Sequence, residues 1–420
     1  MSKFLYGIDF GTTNSVLSIY DEQKKEIIET ISIPSILYFS DNYNTSKEID
    51  YFVGKEAIDA YIKEGMKGRF MKSIKRVLPR SNFIETRIHN KSYTASTLIT
   101  LILKELKSRA DKIIGYDCSK AIIGRPVYFD ELSINDDLAQ KRLLKAAELA
   151  GLTETRFQYE PIGAAFAYEK TITKKEKVLV ADIGGGTTDL TLIELDPLKA
   201  EDKNRKNDIL ATGGIYIGGD SFDSSFMWEK GTPYFGRGVT YESMPGKVID
   251  VPPSFFHNIC TWEKMNFFNG LKVQNDLRKY YCYTKENESL KKLITLTENN
   301  LGYSIFQSIE KTKIELSNQT NSLFSYHNFD IDIKTIIPLL EYNKIIEKNI
   351  KKIDEYLDTF LIQNNVKPES IDTLFLTGGT SLVAAVQALF KLKFPNLIIK
   401  SDDNFISVAK GLAYSGYLFD

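Results

Sequence analysis

The stretch Val178-Leu-Val-Ala-Asp-Ile-Gly-Gly-Gly-Thr-Thr-Asp-Leu-Thr-Leu-Ile193 reads as an apolar strand, an aspartate, a glycine-threonine turn and a second apolar strand. The same plan occurs earlier as Phe4-Leu-Tyr-Gly-Ile-Asp-Phe-Gly-Thr-Thr-Asn-Ser-Val-Leu-Ser-Ile19, with a turn two residues shorter. Aliphatic and β-branched flanks around glycine-bearing turns predict two β-hairpins. A plan that recurs in one chain signals a duplicated unit. The later part of each unit matches as well: Ala121-Ile-Ile-Gly-Arg-Pro126 and Leu374-Phe-Leu-Thr-Gly-Gly-Thr380 are short apolar strands running into glycine. Helical patterns neighbour them, Asp137 to Ala150 after the first and Leu382 to Phe390 after the second. The reading is an α/β chain of two related lobes, residues 1–173 and 174–420, each a mixed sheet flanked by helices.

Each lobe carries an inserted subdomain, at about 38–117 in the first and about 226–330 in the second. The second insertion contains Trp228, Tyr234, Phe235, Phe255, Phe256, Trp262, Phe267 and Phe268, and its glycines and prolines between Gly231 and Pro253 predict a loop-rich opening. Helical patterns follow at Leu277 to Tyr283, Leu301 to Leu316 and Ile337 to Gln363.

Composition narrows the function. With 420 residues the chain can bury about three-quarters of its unfolded surface and needs no disulfides or structural metal to fold. The 54 Lys and Arg against 55 Asp and Glu leave a net charge of −1, which argues against a nucleic-acid partner. Three scattered cysteines and three scattered histidines make disulfide frameworks, zinc clusters and Ser-His-Asp catalysis poor choices. No apolar run nears the roughly 20 residues of a membrane span, and Asp9 interrupts any signal-peptide core. A cytoplasmic protein with no membrane partner is expected.

The two turns carry the chemistry. Gly11 and Gly184 to Gly186 let backbone N–H groups face a ligand closely, a concavity suited to phosphate oxygens, and Thr12, Thr13, Thr187 and Thr188 add hydroxyls. Two such turns in two related lobes predict a clamp on the phosphates of one nucleotide. Asp9 and Asp182 then need explaining, because at ~4 Å a carboxylate and a phosphate charge repel by about 1–4 kcal/mol. A Mg²⁺ ion held by both carboxylates through water reverses that sign. The plainer alternative is that both aspartates cap their turns.

Gly7-Ile-Asp-Phe-Gly-Thr-Thr-Asn-Ser15, Asp182-Ile-Gly-Gly-Gly-Thr-Thr-Asp189 and Thr377-Gly-Gly-Thr-Ser381 resemble the phosphate and adenosine motifs of the actin-like ATPase superfamily. The resemblance is to the nucleotide-binding domain of DnaK-type heat-shock chaperones, and within them to short YegD-type members without a peptide-binding domain. Arg156-Phe-Gln-Tyr-Glu-Pro-Ile-Gly-Ala-Ala-Phe-Ala-Tyr168 is similar to their inter-lobe connecting helix, and Gly213-Gly-Ile-Tyr-Ile-Gly-Gly-Asp-Ser-Phe-Asp223 to their Gly-Gly-x-x-Phe-Asp segment. The resemblance implies two ribonuclease-H-like lobes with ATP or ADP and Mg between them.

It also implies roles. Asp9 and Asp182 would hold hydrated Mg²⁺. Gly11, Thr12, Thr13, Asn14, Gly184, Gly185, Gly186 and Thr187 would hold phosphate, with Gly218 and Gly219 nearby. Lys75 would be the catalytic lysine, consistent with phosphoryl transfer being catalysed by positioning and charge; the bland reading of its run, with Lys67, Lys72 and Arg76, is a solvated basic face. Glu160 and Asp189 would position or deprotonate the attacking water, with Asp182 and Thr187 completing the catalytic set. Glu310, Lys313 and Ser317, on one helical face, would meet ribose and adenine, and Gly378, Gly379 and Thr380 would lie on the other side of the base. Ile314 and Leu382 stand where the family carries two arginines that sandwich adenine, and Asp403 is the nearest match to its terminal aspartate.

The expected function is a chaperone-like ATPase that hydrolyses Mg-ATP slowly and couples nucleotide state to lobe rotation, read by a partner protein. The aromatic insertion 226–283 is either a subdomain core or the partner surface. Tight binding of extended hydrophobic peptides is not expected. The competing class is a bacterial actin-type filament ATPase; a sugar kinase on the same fold lacks a matching carboxylate motif.

Overall fold

The structure, a computed structural model, describes residues 3–43, 49–130, 132–200, 202, 205–261, 264, 265, 268, 270–401 and 406–419. Asp403, Trp262 and Phe267 lie outside the described residues. The chain divides into two compact units: unit 1 is Met1–Gly218 with Ile353–Ser381 and Leu389–Asp420, and unit 2 is Gly219–Lys352 with Leu382–Ala388.

Unit 1 contains two five-stranded sheets with one strand order. In the first, Glu154–Tyr159, Lys120–Arg125, Phe4–Phe10, Asn14–Asp21 and Glu26–Pro34 lie side by side. In the second, the order is Ile398–Ser401, Thr373–Thr377, Glu176–Ile183, Thr188–Leu195 and Ile209–Ile215. Each predicted hairpin forms the antiparallel centre, with Asp9 opposite Val16 and Asp182 opposite Asp189. Each takes a parallel neighbour on one side, at Ala121–Ile123 and Thr373–Thr377. The duplication read from the motifs is therefore present strand for strand. The central strands are apolar almost continuously because both faces are covered, whereas the edge strand Glu26–Pro34 turns its polar residues outward.

Helices Ala95–Ile114 and Ser133–Leu149 cover the outer face of the first sheet, through Leu98, Ile102, Leu106 and Leu143. Thr94 starts the former by accepting the Thr97 N–H at 3.2 Å. Between the sheets lie helices Glu160–Glu169 and Ser407–Tyr414. Their core unites Leu5 and Ile122 of the first sheet with Val178, Val180 and Phe375 of the second, around Ile162 and Leu412. The two helices cross so closely that a Cβ on Gly411 would lie 1.6 Å from the Gly163 carbonyl oxygen; only glycine permits this approach.

Unit 2 holds helices Gly219–Phe226, Pro253–Ile259, Leu271–Tyr283, Glu288–Glu298 and Gly302–Leu316, the ladders Thr240–Met244/Lys247–Asp250 and Asn321–Asn328/Ile331–Pro338, and the first half of helix Leu339–Gln363. Its aromatics mostly build its own core: Phe235, Phe255, Phe256 and Phe268 are buried, and Phe226 meets Phe324 edge-on at 5.1 Å. Trp228 is only half-buried.

Three local expectations are corrected. Arg156 to Tyr159 is strand, and the connecting helix starts at Glu160, where Pro161 occupies the first turn. Ile337 and Pro338 end a strand, paired with Ser322 and Asn321, so the long helix begins at Leu339. The opening of the second insertion is folded rather than loop-like, with short helical turns over Met227–Phe235 followed by the 240–250 hairpin.

Candidate functional site

In unit 1 the two turns sit close together. A Cβ on Gly186 would be 3.6 Å from the Thr12 Oγ1 and 3.7 Å from the Arg76 Nε. The first turn is braced by Ser35, whose N–H donates to the Thr13 carbonyl at 2.8 Å and whose hydroxyl donates to the Gly11 carbonyl at 2.7 Å. The second closes on itself through the Gly184 N–H donating to the Thr187 carbonyl at 3.0 Å. Thr380 donates its hydroxyl to the Gly184 carbonyl at 2.7 Å, and Thr188 to the Ile217 carbonyl at 2.7 Å. Gly218 lies against the same turn, with a Cβ there 2.6 Å from the Gly184 and Gly185 carbonyl oxygens. Gly378 takes φ +79°, and a Cβ would stand 2.4 Å from the Ile183 oxygen and 2.7 Å from the Asp182 Oδ1. That position demands glycine for both reasons.

A buried charge cluster lies at this place. Lys75, on the single helical turn Ile74–Val77, donates from Nζ to the Glu160 Oε1 at 2.6 Å, with side-chain exposures of 11% and 9%. Glu160 is placed by the N-terminus of its helix. Asp189 accepts the Val127 N–H at 3.0 Å. Burial, then the Glu160 charge, pushes the Asp9 carboxyl up to about 7 while Lys75 pulls it down. Burial and Glu160 likewise push Asp189 up to about 7, against Thr187, Val127 and Lys75. Asp182 is raised by burial first, then by Glu160, Asp189 and Asp9. Burial works against the Lys75 ammonium, but Glu160 and Asp9 outweigh it and hold the charge firmly.

Four carboxylates thus share one ammonium at the heart of the cluster, and this negative excess fits a divalent cation. Among the described residues no three His, Cys, Asp or Glu side chains are grouped to hold a metal ion directly. The fold brings together Asp9, Thr12, Lys75, Glu160, Asp182, Gly184 to Thr187, Asp189, Gly218, Gly378 and Thr380. Ser35 and Val127 escaped the sequence reading, since a serine after a proline and a backbone N–H carry no signal until the strands are paired.

Unit 2 carries Gly219, Glu310, Lys313, Ile314, Ser317 and Leu382. Glu310, Lys313 and Ile314 lie on helix Gly302–Leu316, with Ser317 at its end donating to the Lys313 carbonyl at 3.2 Å. Lys313 donates to both oxygens of Asp223, at 2.8 and 3.0 Å. Burial opposes that ammonium, but Asp223 and Glu310 raise its pKa above the ordinary range. Ile314 is 59% exposed and Leu382 39% exposed.

The family model described as "Hsp70 protein" matches residues 5–229 and 267–418. The chain belongs to the Hsp70 family. It is similar to "Chaperone protein DnaK" of Mesomycoplasma hyopneumoniae strain J, 27% identical across 99% of this chain and 58% of that protein. It is 25% identical to "Chaperone protein DnaK" of Mycoplasmopsis agalactiae strain PG2 and 24% identical to that of Mycoplasmopsis pulmonis strain UAB CTIP, with the same coverage. The chain therefore spans somewhat over half the length of the curated relatives it matches. Its mixed sheets, duplicated and flanked by helices, are the architecture of the actin-like ATPase superfamily to which Hsp70 proteins belong. The family match passes over residues 230–266, about a third of the second insertion. Among the described residues no helix is long and apolar enough to cross a membrane.

Proposed function

We propose that this Hsp70-family chain is a slow, chaperone-type ATPase that binds Mg-ATP at the cluster in unit 1. The observation that carries the reading is the buried Lys75–Glu160 pair among Asp9, Asp182 and Asp189, beside two facing glycine-threonine turns. The backbone N–H groups and hydroxyls of Gly11 to Asn14 and Gly184 to Thr187 hold the phosphates. Asp9 and Asp182 hold hydrated Mg²⁺, which when bound supplies positive charge to the phosphate oxygens. Lys75, kept cationic by its carboxylates, stabilises the charge that develops on the transferring phosphoryl group. Glu160 and Asp189 position the attacking water or take its proton. Glu310, Lys313 and Ser317 of unit 2 hold the nucleoside, and Ile314 and Leu382 cover adenine with apolar surface in place of arginine. Nucleotide state is passed to a partner protein by movement of the lobes.

Lys75→Ala decides the matter. Single-turnover hydrolysis is expected to fall about 100-fold or more, the scale of losing one preorganised charge-stabilising donor, while calorimetric Mg-ATP affinity changes far less. Asp9→Ala is expected to weaken Mg-nucleotide binding itself. Hydrolysis by Lys75→Ala at the parental rate would reject the assignment.

A further inference from the structure

Unit 2 contains a groove of about 900 Å³ that the nucleotide reading does not use. Three segments of the chain line it. Helix Leu339–Gln363 contributes Glu341, Lys344, Ile345 and Lys348; helix Gly219–Phe226 and the turn after it contribute Ser224, Ser225 and Trp228; the end of helix Pro253–Ile259 and the residues beyond contribute His257, Cys260, Thr261 and Lys264. The Trp228 indole stacks on the His257 imidazole at 4.3 Å and 7°, and Arg237 stands 4.7 Å from the indole centroid. The aromatic wall is therefore built and held.

The charges on the lining are unequal in their partners. Lys230 pairs with Glu341, and Glu229 faces Arg237 at 3.8 Å. Lys264, Lys344 and Lys348 are exposed and make no ion pair among the described residues, and the one remaining acid of the lining is Glu347. Lys344 and Lys348 are four residues apart on one helix, so their like charges sit one turn above each other, an arrangement that costs a free helix stability. A surface of this kind, three unpaired ammonium groups around an aromatic wall with hydroxyls at Ser224 and Thr261, is complementary to negative charge on an apolar body.

We infer that this groove is a docking site for an acidic segment of a partner protein, its carboxylates meeting Lys264, Lys344 and Lys348 and its apolar side chains lying on Trp228, His257 and Ile345. Two observations select a protein segment as occupant. Lys344 and Lys348 stand one turn apart on helix Leu339–Gln363 and Lys264 lies beyond the end of helix Pro253–Ile259, so the positive charge comes from two separate segments of the groove wall. The groove is also continuous with the aromatic insertion, much of which lies outside the stretches matched by the Hsp70 family. The inference does not rest on the nucleotide reading, because none of these residues belongs to the proposed ATP site.

A displayed library of random peptides, panned on the full-length protein and on Lys344→Glu/Lys348→Glu, tests it. Sequences rich in Asp and Glu with interspersed aliphatic or aromatic residues should be enriched on the parent and lost on the double variant. A synthetic winner should bind the parent by fluorescence anisotropy at least 10-fold more tightly than the variant, and more weakly as salt rises. Ser224→Glu, which puts a carboxylate on the opposite wall, should cause a similar loss and guards against misfolding of the first variant; unchanged near-ultraviolet circular dichroism confirms both folds. No acidic enrichment on the parent, or equal binding to the parent and both variants, overturns the proposal. Complete displacement of the peptide by millimolar inorganic phosphate would also overturn it, by marking a small-anion site instead.

Discussion

Replacing Lys75 by methionine keeps the length of the side chain and removes the one ammonium that the carboxylate cluster shares. Glu160 is then left unpaired beside Asp9, Asp182 and Asp189, all of which it already pushes toward the protonated form. Stranding one partner of a buried pair costs about 3–5 kcal/mol. A loss of about 3 kcal/mol is therefore expected for Lys75→Met in the nucleotide-free protein. Glu160→Gln behaves differently. It removes a negative charge that raises three neighbours, and Lys75 keeps Asp9 and Asp189 as counter-charges. Its cost should stay within about 1 kcal/mol, the scale of one hydrogen bond. Lys75→Met/Glu160→Gln should then recover at least ~1 kcal/mol of what Lys75→Met loses, a coupling within the usual range for contacting pairs. Urea unfolding at pH 7 followed by circular dichroism measures all four proteins. Equal losses for the two single variants that simply add in the double would refute the picture of a crowded carboxylate site.

The nucleotide-free protein should become less stable as pH rises from 5 to 7: Asp9 and Asp189 keep their protons to about 7 when folded, an unfolded aspartate loses its proton near 3.9, and the folded state therefore binds more protons across that window. Each group contributes up to about 1.4 kcal/mol per pH unit, so a melting temperature that climbs over this range would contradict the raised values. Gly378→Ala forces a side chain to φ +79° and into the Ile183 carbonyl; the left-handed backbone alone costs about 1–2 kcal/mol. Thermal melts should show that loss, and calorimetry should show weaker Mg-nucleotide binding through the displaced Asp182. Ile314→Arg with Leu382→Arg adds guanidinium stacking of about 0.5–2 kcal/mol per contact, so ADP should bind more tightly; unchanged affinity in the folded double variant would mean that these side chains do not face the base.

The two hairpins were legible in the sequence because their information is local. Strand, carboxylate, turn glycines and return strand lie within sixteen residues, and the second copy excludes chance. The apolar patterns also marked helices Ser133–Leu149, Gly302–Leu316 and Leu339–Gln363 to within a few residues, but not helix Ala95–Ile114 in the first insertion. Boundaries failed where tertiary pairing overrides pattern: Arg156 to Tyr159 and Ile337 to Pro338 are strands because a neighbouring strand satisfies their backbone groups.

Other features only the folded chain could decide. Lys75 and Glu160 are 85 residues apart, and their 2.6 Å contact exists because a helical turn in the first insertion meets the start of a helix packed between two sheets. The pull of that pair on Asp9, Asp182 and Asp189 depends on shared burial, which no motif encodes. Ser35, Val127 and Asp223 acquire their roles by distance alone, as does the groove that gathers Ser224, Lys264 and Lys348 from three segments. Sequence determines the chemistry a short segment can offer through the order of its residues; the tertiary structure decides which charges share one low-dielectric space, because electrostatic coupling follows separation in space and exclusion of water.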